Sequence, residues 1–482
     1  MAETLKEKTA RGLLYGSLGN GLQQVIGLLA GIMLGRLLSP DDYGMVAMIT
    51  IFSLIASELQ NTGFKVALTN LKEPTDEDYN SVFWFNITAS VLMYVVLFFC
   101  APLIAAYYRR AELVPLCRYA FIGFVIASFG IAQAAWLFKN LRAKQQAKSG
   151  IVATLLSVTV GVTMAANGCA YWSIATQSIV FVLVNTALLW HYSPWRPSFR
   201  VTFRPVRHMF RFSVKILLTG IFTHINNNVL NILLGRFYSA HATGIYNQAY
   251  QWNSKCAYML QGMVQMVAQP VFVDVRDDEE RRLRVLRTMM RFTAFMSFPM
   301  LLGFGLVSEE FIVLAITEKW RESAVLIKML CVSGAFMPLT IVLGNMIMSR
   351  GKSDVYLWCT VALGVLQVCL MIALHGYGIR TMVAAYVSLY VLWFFVWHHQ
   401  VWRLTGYTLA MVLCDVLPFA LSAAAVMAAT YYVTVGITSA PLLIAARVAL
   451  GAALYVAVRR AVGCRVLAEC VAYVLNRRRR GQ

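Results

Sequence analysis

Apolar residues in this chain run on in long blocks instead of alternating with polar ones. The stretches 12–35, 79–108, 149–195, 355–379 and 416–446 contain no Asp, Glu, Lys or Arg. About 20 apolar residues suffice to cross a bilayer as a helix. Blocks of this length, separated by short charged gaps, predict an all-α polytopic membrane protein. Fourteen spans fit: 12–35, 42–63, 80–106, 115–138, 149–167, 170–190, 210–234, 242–269, 288–307, 324–348, 355–375, 380–402, 409–433 and 440–460. Twelve also fit, if 288–307 or the tight pair meeting at Asn167 and Gly168 is divided differently.

One polar interruption is written twice. Leu34-Gly35-Arg36-Leu37-Leu38-Ser39-Pro40-Asp41-Asp42-Tyr43-Gly44 returns 200 residues later, without a gap, as Leu234-Gly235-Arg236-Phe237-Tyr238-Ser239-Ala240-His241-Ala242-Thr243-Gly244, with five of eleven positions identical. Chance gives roughly one identity in such a window. Each copy closes one apolar block and opens the next, as a hairpin tip between membrane helices does. The expected organisation is an N-terminal lobe over 1–192 (spans 1–6), a cytoplasmic linker over 193–211 and a C-terminal lobe over 212–404 (spans 7–12). Residues 405–482 add spans 13 and 14 and a basic tail. Six spans per half bring both halves in from the same side, so the repeats are parallel, and substrate is expected to pass between the lobes.

Charge sets the orientation. The chain is 59% hydrophobic and 13% charged, about half the charged fraction of an ordinary soluble domain. Of its 42 Lys and Arg, thirty fall in segments that are inside if the N-terminus is inside, and eight in the outer ones. This bias predicts that both termini are cytoplasmic. The first ten residues are polar and charged, and the apolar run behind them exceeds a signal-peptide core. The first helix is therefore expected to serve as the insertion signal. The net charge of +20 does not point to nucleic acid, because the basic residues punctuate the gaps between spans instead of clustering on a soluble domain. Two inner segments stand out. The linker from Ser193 to Arg211 mixes Trp and Phe with arginine, which suits an inner leaflet of anionic lipid. Asp274 to Arg291 begins acidic and ends basic, as a solvated extension of the next helix would. The run Arg477 to Arg480 reads as a topology and lipid anchor.

Signals for catalysis are weak. There is no HExxH, no P-loop and no CxxC; the ten cysteines read as small apolar packing residues. Gly16-Ser17-Leu18-Gly19-Asn20-Gly21 is a glycine-rich helix interior with no preceding strand. The sequon Asn86-Ile87-Thr88 falls within a span. No metal ligand set and no bound cofactor are expected.

In a bilayer, polar side chains are costly unless they face water or another helix, so their placement locates the candidate site. Span 8 carries Gln248, Gln251, Lys255, Tyr258, Gly262, Gln265 and Gln269 at steps of three or four, one helical face. Lys255 falls near the middle of that span. Span 7 adds His224, Asn227, Asn228 and Asn231, with Lys215 nearer its inner end. Span 1 offers Asn20 and Gln24, and span 2 offers Glu58, Asn61 and Thr62. These amides and small residues would equally serve as packing contacts between helices. Arg447, in span 14, is left without a role.

The chain resembles the polysaccharide-transporter branch of the multidrug/oligosaccharidyl-lipid/polysaccharide exporter superfamily, and within it Wzx-type flippases of the colanic-acid and teichuronic-acid kind. The resemblance is carried by Leu34 to Gly44, Pro74 to Asp78 with Val82 to Asn86, Gly168 with Tyr171 to Ala175, Gly235 to Tyr246, and Glu318-Lys319-Trp320. It implies a two-lobed fold of 14 helices in the bacterial inner membrane and export of an oligosaccharide on undecaprenyl diphosphate. Energy from a proton or sodium gradient is implied too, for which Glu58 and His224 are the titratable candidates. A polysaccharide polymerase and chain-length machinery would be its partners. Lys255 is expected to meet the diphosphate, and the amides and tyrosine the sugars. The alternatives are a drug exporter of the same superfamily, a membrane scaffold, and a polymerase-like glycosyltransferase. The first would favour acidic cavity residues, and the last a large outer loop.

Overall fold

Lipid offers backbone N–H and C=O groups no partner, so the apolar blocks can only fold on themselves as helices. The computed structural model describes residues 5–70, 74–199, 204–275, 278–464 and 467, and the side chains of 15–58, 74–199, 217–265, 268, 271–275, 278–464 and 467. All regular structure among the described residues is helical. Eleven helical segments there are long and apolar enough to cross a membrane. By their contacts the residues form two units, 1–244 and 245–482.

The first unit holds α1 (Leu5–Leu37), α2 (Pro40–Asn70), α3 (Asp76–Tyr108), α4 (Leu113–Ala120), α5 (Ile122–Ser128), α6 (Ile131–Lys139), α7 (Ala143–Ala166), α8 (Trp172–Tyr192) and α9 (Arg204–Phe237). The glycine-rich stretch 16–21 is helix, and within it Gly19 serves packing. A Cβ on Gly19 would stand 2.6 Å from that of Ala147, and one on Gly150 2.7 Å from Gln23 Nε2, so α1 and α7 cross with almost nothing between them.

One expectation is corrected in this unit. The span at 115–138 is not one helix but three, α4 to α6, meeting at Phe121 and at Phe129–Gly130. Carbonyls at the second break find partners on α8: Trp190 Nε1 donates to Phe129 at 2.7 Å and the Thr186 hydroxyl to Ile126 at 3.4 Å. Partners 60 residues away leave no trace in local periodicity. α9 begins at Arg204 and so takes in the last residues of the expected linker. The described start of that linker packs on α3. Trp195 is buried against Tyr79 and Phe83 with ring centroids at 5.8 Å. Trp84 Nε1 donates to Ser198 at 2.7 Å, and the Ser198 N–H donates to Asn80 Oδ1 at 2.9 Å.

The repeated motif is a pair of helix starts in mutual contact. Ser39 opens α2 with a capping box: Asp42 N–H donates to its hydroxyl at 3.3 Å, and Asp42 Oδ2 accepts from Ser39 N–H at 2.9 Å. Ser239 likewise accepts from the Ala242 N–H at 3.1 Å, at the start of α10 (Ala240–Asp274). That explains the shared serine. The shared glycine is explained by the approach: a Cβ on Gly44 would lie 1.8 Å from the Ala240 carbonyl oxygen, and one on Gly244 1.8 Å from that of Pro40. Positions 40 and 44 thus meet 240 and 244 reciprocally, as a two-fold relation between the copies requires. His241 Nδ1 and Asp41 Oδ2, also 200 residues apart, lie at 3.1 Å.

The second unit takes the rest of α10, then α11 (Glu279–Ile316), α12 (Arg321–Ser349), α13 (Ser353–Leu374), α14 (Ile379–Thr405), α15 (Leu409–Thr434) and α16 (Ala440–Ala461). Asp278 caps α11, its carboxylate accepting the Arg281 N–H at 2.9 Å, so the acidic-to-basic segment does extend the helix beyond the expected 288–307. Two ion clusters dock α15 and α16 on α11. Near one end Asp415, wholly buried, accepts from Arg287 Nε at 2.9 Å and Nη2 at 3.1 Å, from Arg291 Nε, and from the Tyr407 hydroxyl at 3.1 Å. Burial, reinforced by the Asp415 charge, pushes the Tyr407 phenol well above its ordinary range and keeps it a donor. Near the other end Arg447 acquires its role: Nη1 donates to Glu310 Oε1 at 2.7 Å and to the Leu306 carbonyl at 3.0 Å, and Nε to the Thr434 hydroxyl at 3.2 Å.

Candidate functional site

In the first unit, α2 and α9 pack along each other and bring the two titratable candidates together. His224 Nε2 lies 3.1 Å from Glu58 Oε2. Gly220, one turn before His224, makes the place: a Cβ there would stand 2.1 Å from Glu58 Oε1. The side chains are 28% and 22% exposed, sheltered yet within reach of a proton or ion.

The asparagines of α9 divide by face. Asn228 is buried and its amide donates to the His224 carbonyl at 2.9 Å; Asn231, also buried, donates to Asn228 Oδ1 at 3.3 Å. Asn231 is thus engaged in packing, away from any open surface, while Asn227 is half-buried. On α1, Asn20 and Gln24 are exposed, and Gln23 between them turns toward α7. The side chains of Lys215, Asn61, Thr62 and Gln269 lie outside the described ones.

In the second unit the polar face of α10 emerges with one exception. Gln251, Tyr258, Gly262 and Gln265 are exposed and Lys255 is half-buried, whereas Gln248 is buried at 2% exposure. Lys255 stands fifteen residues into α10, about 23 Å along its axis. Its ammonium sits 4.4 Å from the centroid of the Trp252 ring, which is itself buried and set edge-on to Phe311 at 5.1 Å. Among the described residues no carboxylate pairs with Lys255. An aromatic face partly compensates the cation and leaves its N–H donors available to an anion. Polar spacing alone omits Trp252, although its i, i+3 relation to Lys255 is a readable signal. Gly220, by contrast, has meaning only once α2 lies beside it.

The chain matches the family model described as polysaccharide biosynthesis protein over residues 33–325, more than half its length and both copies of the tip motif. It belongs to that family. Relatives include the teichuronic acid biosynthesis protein TuaB of Bacillus subtilis (strain 168), 27% identical over 335 residues, covering 68% of this chain and 69% of TuaB. The lipopolysaccharide biosynthesis protein WzxC of Escherichia coli (strain K12) is 25% identical over 358 residues, covering 73% of this chain and 72% of WzxC. Among solved structures, the lipid II flippase MurJ in an inward closed conformation superposes with a TM-score of 0.71 at 12% identity, over 93% of this chain and 99% of MurJ. At that identity the likeness is one of fold. The resemblance read from the tip motif and its companions is borne out.

Proposed function

We propose that this protein is a flippase that moves oligosaccharide repeat units, linked to undecaprenyl diphosphate, across the bacterial inner membrane for surface-polysaccharide assembly. It works by alternating access and makes or breaks no covalent bond. The observation that carries this reading is Lys255: an ammonium far along a membrane helix, held by an aromatic face and unpaired with any described carboxylate, in a polysaccharide-biosynthesis chain. A diphosphate is the anion such a charge awaits, since a lone cation at bilayer depth costs several kcal/mol. The exposed Gln251, Tyr258 and Gln265 on the same helix suit sugar hydroxyls and sugar faces. α2, α9 and α10, of 31, 34 and 35 residues, are long enough to cross as well, and in this reading they join the eleven apolar segments as the remaining three of fourteen crossings. The charge count favours both termini inside.

Glu58 and His224 carry the coupling ion in this reading, a proton in the first instance. The polymerase and chain-length machinery of the same polysaccharide are the partners that receive the flipped unit. The test is reconstitution in proteoliposomes with a fluorescent undecaprenyl-diphosphate oligosaccharide. Protein-dependent loss of inner-leaflet label, faster with an imposed proton gradient, is expected. Export of cationic drugs with no movement of the lipid-linked sugar would replace this reading with that of a drug exporter.

A further inference from the structure

The Asp415 cluster holds more positive charge than its carboxylate can answer. Arg287 and Arg291 lie one turn apart on α11 and converge on one acid. Oδ1 accepts from Arg287 Nη2 and Arg291 Nε; Oδ2 accepts from Arg287 Nε and Tyr407. Four donors saturate the two oxygens, so two guanidiniums share a single negative charge. The Arg447 cluster, with one arginine to one glutamate, has no such surplus.

The excess sits where a ligand can reach it. Arg287 and Arg291 are 30% and 39% exposed while Asp415 is fully buried. Arg291 gives the acid only its Nε, so among the described residues both of its terminal nitrogens remain as donors. The arginines follow the cap Asp278 by nine and thirteen residues, about 14 and 20 Å along the helix, where its charged extension gives way to the apolar span. Beyond Thr288, which is exposed between the two arginines, the exposed side chains that continue the flank are apolar: Phe292 and Met296 on α11, Leu413 and Leu417 on α15. An inorganic anion or an acidic peptide would gain nothing from that wall.

We propose that Arg287 and Arg291 form a binding site for the phosphate of an anionic phospholipid, whose acyl chains lie along the apolar flank of α11 and α15. The guanidinium fork of Arg291 matches two phosphate oxygens, and Asp415 holds both arginines in place from behind. The site shares no residue with the transport reading above.

Delipidated full-length protein in detergent, titrated with phosphatidylglycerol or phosphatidylcholine and followed by native mass spectrometry and thermal melting, tests it. Phosphatidylglycerol is expected to bind and raise the melting temperature, and phosphatidylcholine to do so at much higher concentration. Arg291→Gln leaves the three bonds from Arg287 and Tyr407 on Asp415 and so keeps the fold. It is expected to weaken phosphatidylglycerol about fivefold, the effect of one basic residue at a lipid surface, and Arg291→Lys by less. Arg321→Gln, which removes an exposed charge from the start of α12, and Lys255→Ala are expected to leave this affinity unchanged. An equal loss in Arg321→Gln would reduce the effect to general electrostatics and overturn the proposal. So would a loss of undecaprenyl-diphosphate binding in Arg291→Gln with phosphatidylglycerol unaffected, because the site would then belong to the substrate.

Discussion

The charges in this molecule are treated in two opposite ways. On α11, α15 and α16 the two buried ion clusters are closed around their charges: Asp415 takes four donors, and Arg447 has a carboxylate, a carbonyl and a hydroxyl. On α10, Lys255 has an aromatic face and nothing anionic among the described residues. A charge that only needs to hold helices together is best saturated, since any missing partner costs stability in every molecule all the time. A charge that must bind and release has to be left incomplete, because its last partner arrives with the substrate. In the proposed function this contrast sets the helix-docking clusters apart from the lysine that meets substrate.

The largest effect should come from Lys255. Lys255→Ala is expected to bring flipping in proteoliposomes to background while the protein still inserts and melts normally, and Lys255→Arg to keep part of the activity. Near-normal transport by a well-expressed Lys255→Ala protein would put this lysine among the structural ions and remove the contrast.

Asp415 should behave in the opposite manner. Asp415→Ala leaves two guanidiniums facing each other and is expected to destabilise by about 3–5 kcal/mol, the range for one partner lost from a buried pair. The readout is melting temperature and yield in detergent. The triple variant Arg287→Met, Arg291→Met, Asp415→Leu should recover most of that loss, which no transport-site residue would do.

Next in size are the tips. Gly44→Val and Gly244→Val place a side chain against a backbone carbonyl that cannot move aside as a flexible side chain would. Each is expected to cost about 1–3 kcal/mol, as overpacking does. Cysteines at Ser39 and Ser239 should label from the same face of intact cells; labelling from opposite faces would end the parallel-repeat reading.

Glu58→Gln and His224→Gln are expected to leave stability within about 1 kcal/mol, since the pair is partly exposed. They should abolish the acceleration of flipping by a proton gradient while downhill movement persists. Unaltered proton dependence in both would show that the coupling ion binds elsewhere. The smallest effect belongs to Asp41→Asn: with both side chains more than half exposed, the loss of its pairing with His241 should be worth about 0–1 kcal/mol at most.

What could be read in the chain follows from what acts locally. Apolar length alone dictated membrane helices, because a backbone in lipid must satisfy itself within one segment. The tip motif was legible because the chain writes it twice; its local capping, in which Ser39 starts the turn and Asp42 completes the box, came with the structure. The steps of three and four on α10 fixed which residues share a face, and most of that face did prove accessible. Periodicity names a face but not what covers it. Only the packing decided that Gln248 and Asn231 are buried while Gln251 and Tyr258 are open. The same holds for Glu58 lying in the notch left by Gly220 beside His224, for Asp415 gathering two arginines more than 120 residues away, and for Trp190 and Thr186 allowing the break in the fourth expected span. Each joins residues whose separation in the chain carries no constraint on their distance in space. The sequence determines the helices and their polar faces; the tertiary structure chooses the neighbours, and with them which charges are used up and which are left to bind.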